Sequence, residues 1–166
     1  MNYIHVSPLQ TNAEIYDSIR YRFDKLCFQR IRQVDKNNYE YSIIPLDTCS
    51  FIGFVREAMF PGKSANPYPQ SNNDRTTAES FIINTSGSPG KEAIPDEEVS
   101  TSLRIQDDGS LLLSVCIGDD DLQHVLDRDK LEQAYTLINE IGKDLQRQIM
   151  VLKSSVMAAS RHIQFP

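Results

Sequence analysis

Cysteine is sparse in this chain and long apolar runs are missing, and each shortage removes a class of protein. The three cysteines, Cys27, Cys49 and Cys116, are odd in number and widely spaced. That excludes a closed disulfide framework and any Cys-x-x-Cys metal or redox motif. Cys27 and Cys116 stand among apolar neighbours, where a thiol serves as a small buried hydrophobe. No stretch approaches the roughly 18 consecutive apolar residues of a membrane-spanning helix. The first twenty residues hold no charged start followed by an apolar run. No signal peptide and no membrane association are expected, and a reducing, cytoplasmic setting is the default.

Positive charge is also short. Seventeen Lys and Arg face 23 Asp and Glu, for a net charge of −6. Residues 92–132 hold twelve acidic groups against Arg104, Arg128 and Lys130, whereas 12–34 hold five basic groups against three acidic ones. Tracking a nucleic-acid backbone requires a strong basic surface that displaces counterions from phosphates. Nucleic acid is therefore not an expected partner.

Catalytic constellations are lacking too. Gly62-Lys63-Ser64 resembles the end of a phosphate-binding loop, but such a loop needs a glycine five positions earlier and a helix after the serine. Position 57 is Glu57, and Ser64 is followed by Ala-Asn-Pro-Tyr-Pro. The segment reads as a turn. "GDDDLQHVLDRD" (118–129) gathers five aspartates around His124, without the alternating oxygen spacing or bidentate Glu of a calcium loop. It reads as a charged approach to a helix, whose N-terminus favours acidic residues. Cys49, in "DTCS", has no base assignable from sequence. No catalytic, cofactor-binding or metal-ligating residue is assigned, and an enzyme is the less favoured reading.

What is present fits one domain of 166 residues, with 40% hydrophobic and 24% charged residues. Thr11-Asn12-Ala13-Glu14 has the form of a capping box. Ile15, Ile19, Phe23, Leu26, Cys27 and Val34 follow at three- and four-residue steps, which predicts a helix over 12–34 ended by Asn37-Asn38. "YEYSIIPL" (39–46) reads as a strand, with Pro45 placing it at an edge or a strand end. "FIGFVREAMF" (51–60) satisfies both periods and is assigned to a helix from about Ser50, stopped by Pro61-Gly62. "AESFIINT" (78–85) is a strand between two long polar loops, 61–77 and 86–99. Loops of that length are functional or disordered.

"TSLRIQDDGSLLLSVCI" is a hairpin. A three-residue loop with Gly109 in the left-handed conformation pairs Ile105 with Leu111 and Leu103 with Leu113. That register puts Leu103, Ile105, Leu111, Leu113 and Val115 on one face, and a slip of one residue would reverse them all. After a cap at Asp129, Leu131, Ile138, Leu145 and Leu152 repeat at sevens, with Tyr135, Ile141, Ile149 and Val156 between them. A helix over 129–158 is about 45 Å long, enough to overhang a domain of this size. Gly142 lies in its apolar seam, where glycine costs up to about 1 kcal/mol against alanine unless another backbone comes close.

In layout, the segment 100–152, a hairpin bearing "RIQDDGSLLLSV", a short acidic link and a long helix, resembles the accessory module that follows the ATPase-like domain of Schlafen-type, AlbA-like bacterial proteins. That resemblance implies an accessory role beside a larger partner. The helix–strands–helix order and acidic balance are also similar to type III secretion chaperones, which implies a binder of a secreted or partner protein.

The sequence thus predicts a single α+β domain: an antiparallel sheet of about four strands (39–46, 78–85, 101–106, 110–117) packed against an N-terminal helix and a long C-terminal helix. The favoured function is a non-enzymatic protein–protein interaction or accessory module. Its contact is the distal C-terminal helix, through Leu145, Ile149, Met150, Leu152, Val156 and Met157. The partner is another protein chain or a second copy of this one. The rival is a small-ligand or enzymatic site between loops 61–77 and 86–99, using Lys63, Tyr68, Asn73 and Arg75. No cofactor is expected.

Overall fold

The computed structural model describes residues 3–8, 14–22, 24–62, 71–85 and 92–162. Eight antiparallel strands follow one another as a continuous meander, each bonded to the next in chain order. They are β1 (Tyr3–Val6), β2 (Ile15–Arg22), β3 (Lys25–Gln33), β4 (Asn38–Pro45), β5 (Ser71–Asn84), β6 (Glu92–Ile105), β7 (Leu111–Ile117) and β8 (Asp120–Leu126). Helix α1 (Thr48–Met59) lies between β4 and β5, and α2 (Arg128–His162) ends the described chain. The sheet curls until its ends meet, with Pro8 bridging His124 of β8, so the shape is nearly a barrel.

This corrects the expected four-strand sheet with an N-terminal helix. Residues 15–33 form a hairpin, and Ile19 faces Phe28 across it while Asp17 faces Arg30. Every second residue, Asp17, Ile19, Leu26, Phe28 and Arg30, is buried. Because two of those five inward side chains are charged, the two-residue alternation of a strand was hidden and the helical spacing of the apolar residues stood out. Asp24, at φ 66°, turns the hairpin, a left-handed conformation that Asp tolerates. Asn37-Asn38, expected to end a helix, ends a hairpin turn instead. Asp35 Oδ1 accepts from the Asn37 and Asn38 amides and from Asn38 Nδ2, and those bonds hold its carboxyl below the usual range, the Asn38 side chain most of all. The helix–strands–helix order behind the chaperone resemblance is therefore not that of this chain, which opens with four strands.

The other elements depart less. β4 falls where expected. α1 begins two residues earlier than read, because Asp47 caps it by accepting from the Cys49 and Ser50 amides. The polar stretches read as loops are partly strand: β5 begins at Ser71 and β6 at Glu92, paired from Ser71↔Arg104 to Ile82↔Glu92. The ladder shifts register between Ala78 and Ser80. Pro95 falls in β6 at that shift, where a missing amide donor is tolerated. The 101–117 hairpin has the expected register, Ile105↔Leu111 and Leu103↔Leu113, with Gly109 at φ 87°. The acidic run 118–129 is not a helix approach. Gly118, at φ 58°, turns the chain into β8, where Leu122, His124 and Leu126 share the face of Val115, Leu113 and Leu111. Asp127, rather than Asp129, caps α2, its Oδ1 accepting from the Lys130 amide.

The core joins the inner face of the sheet to both helices. Ile4, Ile19, Phe28 and Ile44 from β1–β4 and Val99, Leu103, Leu111, Leu113, Val115 and Leu126 from β6–β8 are buried together. Phe51, Phe54, Val55 and Ala58 of α1 and Leu131, Ala134, Leu137, Ile138 and Ile141 of α2 complete the cluster. A last tie lies further along α2, where the Tyr21 hydroxyl donates to Asp144 Oδ2 at 2.6 Å and Gln148 Nε2 donates to Asp24 Oδ1, also at 2.6 Å.

Burial and the adjoining Asp144 carboxylate push the Tyr21 phenol up to about 12, while the Tyr21 hydrogen bond holds Asp144 below the usual carboxylate range. A raised folded value means that this tie stabilises the protein fully below the ordinary tyrosine range and is lost as pH climbs through about 12. In an ultraviolet titration of phenolate absorbance, one of the seven tyrosines should ionise last, near pH 12. Asp144→Asn should bring that tyrosine down toward the others.

Candidate functional site

Two regions hold chemistry worth weighing: the polar half of the sheet interior and the far half of α2. Strand pairing lines up Val6, Asp17, Arg30, Ser42 and Ser80 across β1–β5. At the centre of this row the Asp17 carboxylate accepts from Arg30 Nε at 2.9 Å and Nη2 at 3.0 Å. Its Oδ2 also lies 2.7 Å from His124 Nε2. All three residues are buried. His124 Nδ1 is 3.3 Å from the Leu113 carbonyl, and its ring stands edge-on to Phe28.

An aspartate–histidine pair invites a catalytic reading, but this one is closed. Both ring nitrogens face protein oxygens, and the residue is 0% exposed. A general base needs a lone pair within reach of a substrate proton, and none is free here. The cluster is a structural tie between β2, β3 and β8. Sequence reading missed Asp17 and Arg30 in this role. Their signal was weak: one acid and one base at facing positions of a hairpin not recognised as one.

Above the row, the sheet opens into a cavity of about 310 Å³ lined by Arg30, Arg32, Glu40, Ser42, Glu97, Ile117, Gly118, Asp119 and Asp120. Both of its arginines are already paired, and four carboxylates leave its lining acidic on balance. Arg32 reaches Glu40 Oε2 at 3.0 Å and Asp120 Oδ2 at 3.4 Å, and Arg30 is engaged by Asp17. Among the described residues no group of His, Cys, Asp and Glu is placed to hold a metal ion.

Of the residues expected to hold a small ligand, Lys63 and Tyr68 lie outside the described residues. Asn73 and Arg75 are exposed on β5, where they border a shallow depression with Ser100, Ser102, Ser114, Cys116 and Asp121. Arg75 Nη1 lies 3.7 Å from Glu98 Oε1, a contact between two well-exposed side chains. Residues 71–77 and 98–104, parts of the two stretches thought to frame a cleft and of the strand after them, are paired with each other. Lys63 and Ser64 of the phosphate-loop lookalike lie outside the described residues, but at Gly62 Glu57 Oε1 accepts the backbone amide at 3.1 Å. The carboxylate occupies a donor that a phosphate loop would keep free.

The far half of α2 is the opposite case. The helix has 35 residues, about 52 Å at the usual rise. Its inward residues are buried only as far as Ile141, and from Leu145 to Ser160 every residue is exposed. All six residues singled out from sequence fall here: Leu145, Ile149, Met150, Leu152, Val156 and Met157, joined by Val151. Exposure runs from 45% at Leu145 to 68% at Met150. Single exposed apolar side chains are ordinary, but seven within thirteen residues of one helix are a concentration that calls for an explanation.

Removing the Asp17 charge tests the structural role of the buried tie. Asp17→Asn leaves Arg30 buried without its counter-charge, which should cost about 3–5 kcal/mol. Urea denaturation followed by tyrosine fluorescence measures it, and a loss below 1 kcal/mol would contradict the assignment. Comparisons with protein-family models, curated proteins and solved structures found no match for this chain.

Proposed function

We propose that this protein is a non-enzymatic interaction module whose contact is the distal half of α2. The observation that carries the reading is the unbroken exposure of an apolar helix from Leu145 to Ser160 beyond a sheet that is otherwise well filled. An isolated helix of this length is marginal in water, because nucleation is costly and most helical stability comes from packing an apolar face. Val151, Val156 and the Ser154-Ser155 pair lower its intrinsic propensity further. A partner surface resolves both problems at once. The sealed Asp17–His124 pair and a cavity whose two arginines are already engaged by carboxylates speak against chemistry inside the sheet.

The reading separates two halves of one helix. Ile149→Asp and Leu152→Asp lie beyond the domain and should change the stability of the sheet by less than about 0.5 kcal/mol, as exposed substitutions do. Leu137→Asp buries an unpaired charge and should unfold the protein. Thermal melts followed by near-ultraviolet circular dichroism of the tyrosines read both effects. Unfolding by Ile149→Asp would make the distal helix part of the core and end this reading.

A further inference from the structure

The exposed apolar residues of α2 are not scattered. Leu145, Ile149, Leu152, Val156 and Ala159 are spaced four, three, four and three apart, the alternation of a coiled-coil seam. With β-branched Ile149 and Val156 at one core position and Leu145 and Leu152 at the other, Gly142 and Ala159 begin and end the seam. At 100° per residue these five side chains fall within an 80° stripe. Gln146, Gln148, Lys153 and Ser155 flank it, so two such stripes meet without like charges side by side. Resting on the proposed role of the distal helix as the contact, we infer that its partner is a second copy of this chain, paired antiparallel.

The direction follows from what the domain already covers. The stripe continues the line of Leu131, Ala134, Ile138 and Ile141, which face the protein's own core. A parallel partner would have to run its first three turns through the space held by that sheet. An antiparallel partner meets only the uncovered half, and its own domain lies at the far end. The register is then set by matching the two core positions of the seam. Leu145 packs on Val156 of the second copy and Ile149 on its Leu152, with the same pairs repeated by symmetry. Gly142 falls opposite Ala159 of the second copy.

That last pair gives the glycine a purpose. Gly142 is exposed, and a Cβ added to it would meet nothing within 4 Å in the single chain. Nothing inside the protomer therefore asks for glycine in the middle of a helix. A second backbone arriving with only an alanine between them does. The site is just past Ile141, where the domain's own cover ends. Met150, Val151 and Met157 lie outside the stripe and do not enter the seam.

The test is the solution mass of the full chain, by light scattering over a concentration series. The expected mass is twice the 18.9 kDa of one chain. Ile149→Asp should weaken the dimer at least tenfold and leave the sheet folded, while Val151→Asp, on the outer side of the helix, should leave it a dimer. Direction is read by disulfide trapping with Cys49→Ser as the background, since Cys49 is exposed. Chains carrying Leu145→Cys should cross-link with chains carrying Val156→Cys, and neither should cross-link with itself. A wild-type monomer at every concentration overturns self-pairing, while the distal helix stays available to a different chain. A dimer that survives Ile149→Asp overturns both the inference and the reading beneath it. Cross-linking of Leu145→Cys chains with one another overturns the antiparallel direction.

Discussion

One carboxylate joins parts of the chain that are far apart in sequence. Asp17 lies on β2, its two Arg30 donors come from the neighbouring strand, and His124 approaches from β8, 107 residues away. A meander has only local pairings, so nothing in its strand order obliges the first hairpin to face the last strand. Here the curl is held by β1, by the Pro8 bridge to His124 and by this shared carboxylate. Charged groups out of water are stabilising only when every donor and acceptor is met. Asp17 is met by three donors and His124 by an oxygen at each nitrogen. The tie is worth little as a source of energy compared with the Ile19–Phe28–Ile44 row beside it. Its effect is to hold β2, β3 and β8 together at one point, where each of the three groups meets a partner.

The same cluster explains what could and could not be read in the sequence. The hairpin of β6 and β7 was legible because its inward residues are Leu103, Ile105, Leu111, Leu113 and Val115, and Gly109 fixes the loop. In the hairpin of β2 and β3 the inward row includes Asp17 and Arg30, and alternation of polarity fails at buried positions. β8 hid itself similarly. Its inward side chains are Leu122, His124 and Leu126, but three aspartates at its start dominate the local composition. Charged residues turned inward thus concealed β2 and β3, exposed aspartates concealed β8, and a fourth strand, β1, is only four residues long. The distal α2 surface was legible because it obeys the opposite rule: its apolar residues follow helical spacing without interruption, and no polar residue has been moved into their line.

A mismatch of lengths links the fold to its proposed contact. The strands that meet α2 are short, and the inner face they offer is shared with α1, just after which Phe60 stands edge-on against Tyr135. That leaves room for little more than three turns of α2, from Leu131 to Ile141. The Tyr21–Asp144 and Asp24–Gln148 bonds extend the attachment by roughly one turn along a flank, using the tip of the first hairpin. They direct the helix outward at a fixed angle without covering its apolar line. About 25 Å of helix then remains beyond Leu145, at 1.5 Å per residue. A flexible linker of the same composition would present the same residues, but it would have to be ordered on binding, at a cost in conformational entropy. Holding the first half rigidly in the core, and clamping the next turn at its side, removes part of that cost in advance. The apolar line is continuous from Leu131 to Ala159, and only its cover changes along the way, from the chain's own sheet to none within the single chain. Gly142 stands at that change, and it is the one position in the line where a side chain is given up.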